Sequence, residues 1–261
     1  MQEWGDKMIS VYKNAIHSTQ KVNLKDLGLS FLSFNVQSLS SEFSTEKFQG
    51  ADGEYITDNQ YKGRRIEAKL YYRKDNYIDF QNGKSEVYKL LNSKQKLLMI
   101  DNRLETEKVW EVVVEGDYTL DNEQTHYTKE FDITLLSQST YAHALDYTET
   151  TINDIEGFIY NAGDVYLDGR EHEIEFTFKG KSDKLRIVNE TTNTQFQYYG
   201  TTNTDDEIKV ISTYPFKNGE DIFNDVSQFD VLEFATGSNK IKIYGAEGDF
   251  TLNVKHRDLF I

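Results

Sequence analysis

The chain has 261 residues, 38% of them apolar and 13% aromatic, with 17 Tyr and 16 Phe, which is enough for a packed core and too much for a disordered chain. It has no cysteine and one proline, Pro215, so a disulfide scaffold, a thiolate metal site and a cysteine nucleophile are excluded. The formal net charge is −15, with 18 basic and 22 acidic residues up to Leu145 and 11 and 22 after it, and this argues against a dedicated binder of nucleic acid or anionic lipid, which needs clustered Lys and Arg.

Met1 to Lys7 lacks the cationic segment and apolar run of a secretory signal. No later run approaches the roughly 18 consecutive apolar residues of a membrane helix, so no membrane anchor is expected. Ala51 to Tyr61 is polar and without a period, and it reads equally as a long arm contacting a neighbour or as an ordinary surface hairpin loop. Arg65 to Tyr71 puts Ile66, Ala68 and Leu70 on one side of a strand. Asn82-Gly83 reads as punctuation. A helix follows, capped by Ser85, with Val87, Leu90 and Leu91 at helical spacing as a core-facing stripe. Leu97 to Ile100, Val109 to Val114 and Glu130 to Leu135 read as strands.

Ser137 to Ile155 has no clean period, is rich in Thr and falls where the charge balance changes, so the domain boundary is placed there. The remainder is the size of one antiparallel β-sandwich. Glu173 to Phe178 and Glu207 to Ile211 alternate with period two. Asn218-Gly219 reads as a turn, and a weak helical signal covers Asp221 to Val226. Lys240 to Tyr244 and Phe250 to Val254 look like the two arms of a hairpin joined by Gly245-Ala-Glu-Gly248.

No residue pattern commits the chain to catalysis. The histidines, His17, His126, His143, His172 and His256, show no metal-ligand spacing. There is no Gly-x-Ser-x-Gly elbow, Walker loop or dinucleotide fingerprint. With 44 acidic residues, chance carboxylate pairs of glycosidase type are unavoidable and carry little weight. Asp205-Asp206-Glu207 and Asp121-Asn-Glu123 lack the spacing of a dedicated calcium loop and read as solvated turns. In Tyr71-Tyr72 and Tyr198-Tyr199, adjacent strand residues face opposite ways, so one ring of each pair belongs to the core. Asn189-Glu-Thr191 matches a glycosylation acceptor by chance. The expectation is therefore no catalytic residue, no cofactor and no metal.

Several segments in order resemble a family. Gly50-Ala-Asp-Gly53 followed by Tyr61-Lys-Gly-Arg64-Arg-Ile66 resembles the "G-x-x-G" turn and "Y-x-x-R-x-I" strand of distal tail proteins of long-tailed bacteriophages. The helix near Ser85, Lys96 to Ile100, Trp110 to Val114 and Lys129-Glu-Phe-Asp-Ile-Thr-Leu135 follow in the family's order, and Tyr141-Ala is where it enters its second domain. Ile159-Tyr-Asn-Ala-Gly163, Leu185 to Thr194, Gly237 to Ile241 and Asn253 to Arg257 continue the resemblance almost to the end of the chain. It departs at Ala162-Gly163-Asp164, at Gln195 and at Thr236, where the family has Thr and Pro, Gly, and Pro.

The resemblance implies a mainly β protein. Residues 1–147 would be a tail-tube-like β-sandwich or barrel with one helix, forming a homohexameric ring. Residues 148–261 would be a galectin-like β-sandwich. Implied partners are other copies of the chain, the tail-tube protein, the tail-tip protein and a receptor-binding protein. DNA would pass through the channel without specific binding, and the location would be the phage tail tip in the virion. The alternative is a carbohydrate-binding, lectin-like module of a host-adhesion device, weakened by the absence of Trp after Ile155, since Trp4 and Trp110 are both in the first part.

Overall fold

The computed structural model describes residues 8–15, 18–50, 52–104, 107–121, 127–227 and 230–261. The fold is mainly β, and the chain divides after Leu145 into two compact units.

In the first unit β1 (Ile9–Ala15) pairs with β2 (Ser18–Val22), and a single helical turn, α1 (Leu24–Leu27), leads into β3 (Leu29–Val36). Next come β4 (Ser41–Glu46), β5 (Tyr55–Tyr61) and β6 (Arg65–Arg73), then α2 (Tyr77–Leu90). Strands β7 (Leu97–Asp101), β8 (Lys108–Glu115), β9 (Thr128–Ser137) and β10 (Ala142–Ala144) complete it. The main sheet is antiparallel in the order β2-β1-β7-β8-β9-β6-β3. Period-two alternation puts Ile66, Ala68, Leu70 and Tyr72 of β6 inside, against Phe131, Ile133 and Leu135 of β9 and the apolar stripe of α2, Phe80, Val87 and Leu90.

The helix corrects the expected one. It begins eight residues before Ser85, and its cap is Asn76, whose side chain accepts from Asp79 N–H at 2.9 Å. Asn82-Gly83 lies inside the helix rather than at a turn. The cause is tertiary: Tyr72 packs at a tilt against Phe80 with ring centroids 4.7 Å apart and donates its hydroxyl to Phe80 O, and a Cβ at position 83 would collide with that hydroxyl. Glycine is what lets the helix lie on Tyr72, a gain from packing that outweighs its low helix propensity of about 1 kcal/mol.

The second unit contains β11 (Thr148–Ile152), β12 (Glu156–Asn161), β13 (Leu167–Asp168), β14 (Ile174–Asn189), β15 (Thr194–Gln197), β16 (Thr201–Thr202) and β17 (Glu207–Ile211). It continues with β18 (Tyr214–Lys217), β19 (Glu220–Asp221), β20 (Glu233–Phe234) and β21 (Gly237–His256). The weak signal at Asp221 to Val226 is a 3₁₀ turn over Phe223–Asp225. Asn218 and Gly219, both at positive φ (52° and 84°), make the two-residue connection between β18 and β19.

Strands β14 and β21, 16 and 20 residues long, pair antiparallel along most of their length and belong to both layers. The first half of β14 and the last part of β21 are extended by β11 on one side and by β17, β18 and β19 on the other. Their remaining halves are flanked by β12 and β15. One core fills the space between the layers, with Phe176 of one layer edge-on to Phe196 of the other at 5.0 Å.

The expected hairpin at Gly245-Ala-Glu-Gly248 is therefore a through-strand with irregular pairing, and Ile174 to Phe178 and Leu185 to Asn189 are parts of one strand. Gly245 (φ 79°) meets the Asp183 and Lys184 carbonyls of β14 where a Cβ would stand, and a Cβ on Gly180 would lie 2.7 Å from Phe250 Cβ. Positive-φ glycines serve turns and bulges equally well, and only the partner strand decides between them.

At the end of β21, Asp258 is buried. Burial by itself pushes its carboxyl up, but nearby His256, the Thr148 hydroxyl at 2.9 Å and the Ala162 N–H at 3.1 Å outweigh this and hold it below its ordinary value. A depressed carboxyl stabilises the fold above the unfolded carboxylate range, and that stability is lost as pH falls through the folded value.

Two outcomes follow for the second unit. Gly245→Ala is expected to lower stability by at least about 2 kcal/mol more than Gly248→Ala, where a Cβ meets nothing within 4 Å and only the about 1 kcal/mol of left-handed strain applies; denaturant unfolding of both variants checks this. Asp258→Asn is expected to lose about 1–3 kcal/mol at pH 7. The gap to the unsubstituted chain should begin to narrow in the same assay as pH falls below about 4, where the unfolded state takes up its proton, and should close only below the lowered folded value, where Asp258 is protonated in both states.

Candidate functional site

Among the described residues no three His, Cys, Asp or Glu side chains come together in a way suited to hold a metal ion. His17 and His126 lie outside the described residues. His143 is half-buried on β10, His172 accepts from Asp168 N–H at 2.9 Å, and His256 is fully buried with Nε2 3.2 Å from Asp258 Oδ1. Asp206 is used up inside its own turn. It accepts from Asn203 N–H and from the Asn218 amide, both at 2.8 Å, and pairs with Lys217, which together hold its carboxyl down at about 2. Glu207 pairs with Lys179, and Asp121 pairs with Lys84, while residues 122–123 of that second acidic group lie outside the described set. Tyr72 and Tyr198 belong to the core, and Tyr199 is exposed.

The feature that stands apart is the hairpin formed by β4 and β5. It is a separate two-stranded sheet that pairs with no third strand among the described residues, and nearly every side chain on it is exposed. Cross-strand register pairs Ser41 with Tyr61, Phe43 with Asn59 and Thr45 with Ile56, with Thr57 as the extra residue of a bulge. One face therefore carries Phe43, Ile56 and Tyr61, which are 54%, 63% and 54% exposed. The other carries Glu42, Glu46 and Asp58. Between Ser41 and Tyr61 five carboxylates stand against one lysine, Lys47. Near the tip Phe48 packs edge-on to Tyr55 at 5.2 Å, and Glu54 pairs with Lys47 and accepts from Thr45, contacts that lower its carboxyl in that order.

Of the expected Ala51 to Tyr61 segment, Ala51 lies outside the described residues, and Tyr55–Tyr61 is the returning strand of a double-stranded projection that starts at Ser41. Ser41 to Glu46 carried no usable sequence signal, because its strand is solvated on both faces and shows no alternation.

The root of the hairpin is tightly tied. Strands β3 and β6 pair directly, with Val36 opposite Ile66, so the hairpin is an insertion between neighbouring strands. The ladder continues outward through Gln37 N–H to Arg65 O at 3.0 Å and Lys62 N–H to Ser40 O at 2.9 Å. Arg64 is buried, donates Nε–H to Gln37 O at 2.7 Å and lies over the Trp110 ring at 5.4 Å. Tyr61 packs edge-on to Tyr141 at 6.4 Å, and Arg65 forks onto Glu115 at 2.7 and 2.9 Å. The "Y-x-x-R-x-I" segment singled out in the sequence is therefore the foot of this projection.

In the second unit the outer face of β12 and β21 carries exposed Phe158, Tyr160 and Tyr244, with Arg186 over the Tyr244 ring at 5.5 Å. Sequence reading passed over these rings, since each falls on the polar phase of an alternating strand.

Residues 17–137 match the family described as the phage tail protein RIFT-related domain. No curated protein sequence matches the chain. Among solved structures the chain is similar to the Dit protein of phage SPP1, described as a paradigm of the hub adsorption apparatus in phages infecting Gram-positive bacteria. Identity is 15%, coverage is 96% of this chain and 99% of that one, and the TM-score is 0.69. It also aligns with a chain of the phage P2 baseplate in its calcium-activated conformation, at 10% identity, 96% and 97% coverage and a TM-score of 0.47. A strontium form of that baseplate aligns at 10% identity, 94% and 97% coverage and a TM-score of 0.45. Residues 17–137 thus resemble a phage tail RIFT-related domain, and the chain as a whole has the fold of the SPP1 Dit protein.

Proposed function

We propose that this protein is a structural hub of a phage tail, which closes into a homohexameric ring at the tail tip and joins the tail tube to the adsorption apparatus. The observation that carries the reading is the hairpin of β4 and β5. An isolated two-stranded hairpin is at best marginally stable in water, and this one adds an exposed apolar face and outer edges that pair with no other strand among the described residues. A neighbouring copy that covers Phe43, Ile56 and Tyr61 removes both liabilities. A head-to-tail contact of this kind, repeated by a closing rotation, gives a cyclic oligomer.

In this reading residues 1–147 build the ring and residues 148–261 form the galectin-like docking platform of the virion tail tip. The partners are the tube protein on one side and the tail-tip and receptor-binding proteins on the other. DNA passes through the channel, and the net charge of −15 per copy disfavours its adhesion. The role is assembly, not turnover.

Light scattering on a size-exclusion column tests the ring. The full chain is expected at the mass of a hexamer or its multiple. Deletion of Asp52 to Asn59, or the pair Phe43→Asp and Ile56→Asp, is expected to give monomers with unchanged circular dichroism. A full chain that is monomeric at every concentration, or an oligomer indifferent to these changes, would overturn the proposal.

A further inference from the structure

We infer that Arg64 is a positioning residue that fixes the direction of the β4–β5 arm, and that it acts through the shape and hydrogen bonding of its guanidinium rather than through its charge. The inference rests, for its consequence in assembly, on the ring reading above.

The arm leaves the sheet after β3 and returns at β6, so both of its roots sit at one end of an adjacent strand pair. Two chains leaving a sheet side by side can swing about their roots unless something braces them against the sheet body. Arg64 is that brace. Its Nε–H is bonded to Gln37 O on the outgoing root. Its own carbonyl accepts from Ser137 N–H at the end of β9, at 2.8 Å. Its guanidinium reaches the ring of Trp110 on β8. From its place at the returning root just before β6, a single residue thus ties the outgoing root just after β3 to β9 through Ser137 and to β8 through Trp110.

The electrostatics point the same way. Arg64 is only 8% exposed, and burial pushes its guanidinium below its usual range, yet no carboxylate pairs with it among the described residues and Nη1 is buried without an acceptor. Its neighbour Arg65 has a fork onto Glu115, so carboxylates are at hand on this surface. A buried, unpaired cation opposes folding, and an apolar side chain of similar length is easier to accommodate. The residue is therefore explained by geometry and not by stability. A planar guanidinium can lie on an indole while donating in its own plane, which an ammonium cannot do.

The test uses the full chain with Arg64→Met and Arg64→Lys. Three quantities are read: the melting temperature, the amide exchange of Gln37 and Lys62 with the arm strands, and the solution mass. Arg64→Met is expected to melt as high as the unsubstituted chain or higher. Its exchange at Gln37 and Lys62 should be about tenfold faster, the effect of one lost hydrogen bond, and its assembled fraction lower. Arg64→Lys keeps the charge and is expected to exchange as fast as Arg64→Met.

Unchanged exchange in both variants would overturn the inference. So would a lowered melting temperature with arm exchange raised only in step with the rest of the unit, which is the mark of a merely structural residue. Restoration of slow exchange by Lys would overturn the claim that shape, not charge, is at work. A monomeric unsubstituted chain would overturn the ring reading instead, and the exchange data would still decide the role of Arg64.

Discussion

The pairing of Val36 with Ile66 is the contact on which the architecture of the first unit turns. Without it the segment from Gln37 to Arg65 would be a long loop with separated ends. With it, the two ends are held at the spacing of neighbouring strands, and the chain between them continues as a ladder. The interior of the sheet is then free to be an ordinary packed layer, with Ile66, Leu70 and Tyr72 facing Phe80 and Val87, while the projection carries exposed apolar side chains, Phe43, Ile56 and Tyr61. Core and contact surface are kept on separate stretches of chain that share only a root. At that root stands a buried arginine with one nitrogen left without an acceptor among the described residues.

The second unit solves a different problem with the same element. Its two longest strands, β14 and β21, pass from one layer to the other, so the layers are joined by continuous backbone as well as by side chains. A strand that changes layers must bend, and the bends fall at Gly180, Lys184, Gly245 and Gly248, all at positive φ. Close approach of the Asp183 and Lys184 carbonyls leaves no room for a side chain at position 245. The bend and the packing across it thus depend on one another.

Much of this was legible in the sequence wherever burial on one face imposes a period. Strands β6, β8, β9 and β17 were marked by alternation that the core enforces. The errors cluster where glycine is ambiguous. Gly83 suggested a turn and lies in a helix, because its missing side chain makes room for the Tyr72 hydroxyl, a residue eleven positions away in the chain. Gly245 and Gly248 suggested a hairpin and mark bends in one strand, a distinction set by β14, some sixty residues earlier. The arm was only half seen. Solvation on both faces erases alternation, so a strand that waits for a partner looks like a loop. Its foot was visible through the Tyr61, Arg64 and Ile66 spacing, but the spacing gave no hint that Arg64 reaches Trp110.

The placement of the arm between two strands that already pair has a consequence for divergence. Because the strands hold its ends, the length of the arm is decoupled from the stability of the sheet, and added residues at the Gly50–Gly53 tip contribute only a slowly growing closure entropy. The tip is a site where this protein can acquire loops or whole modules without refolding its scaffold. A lineage can thus change what the domain presents at that point while its core drifts under packing constraints alone.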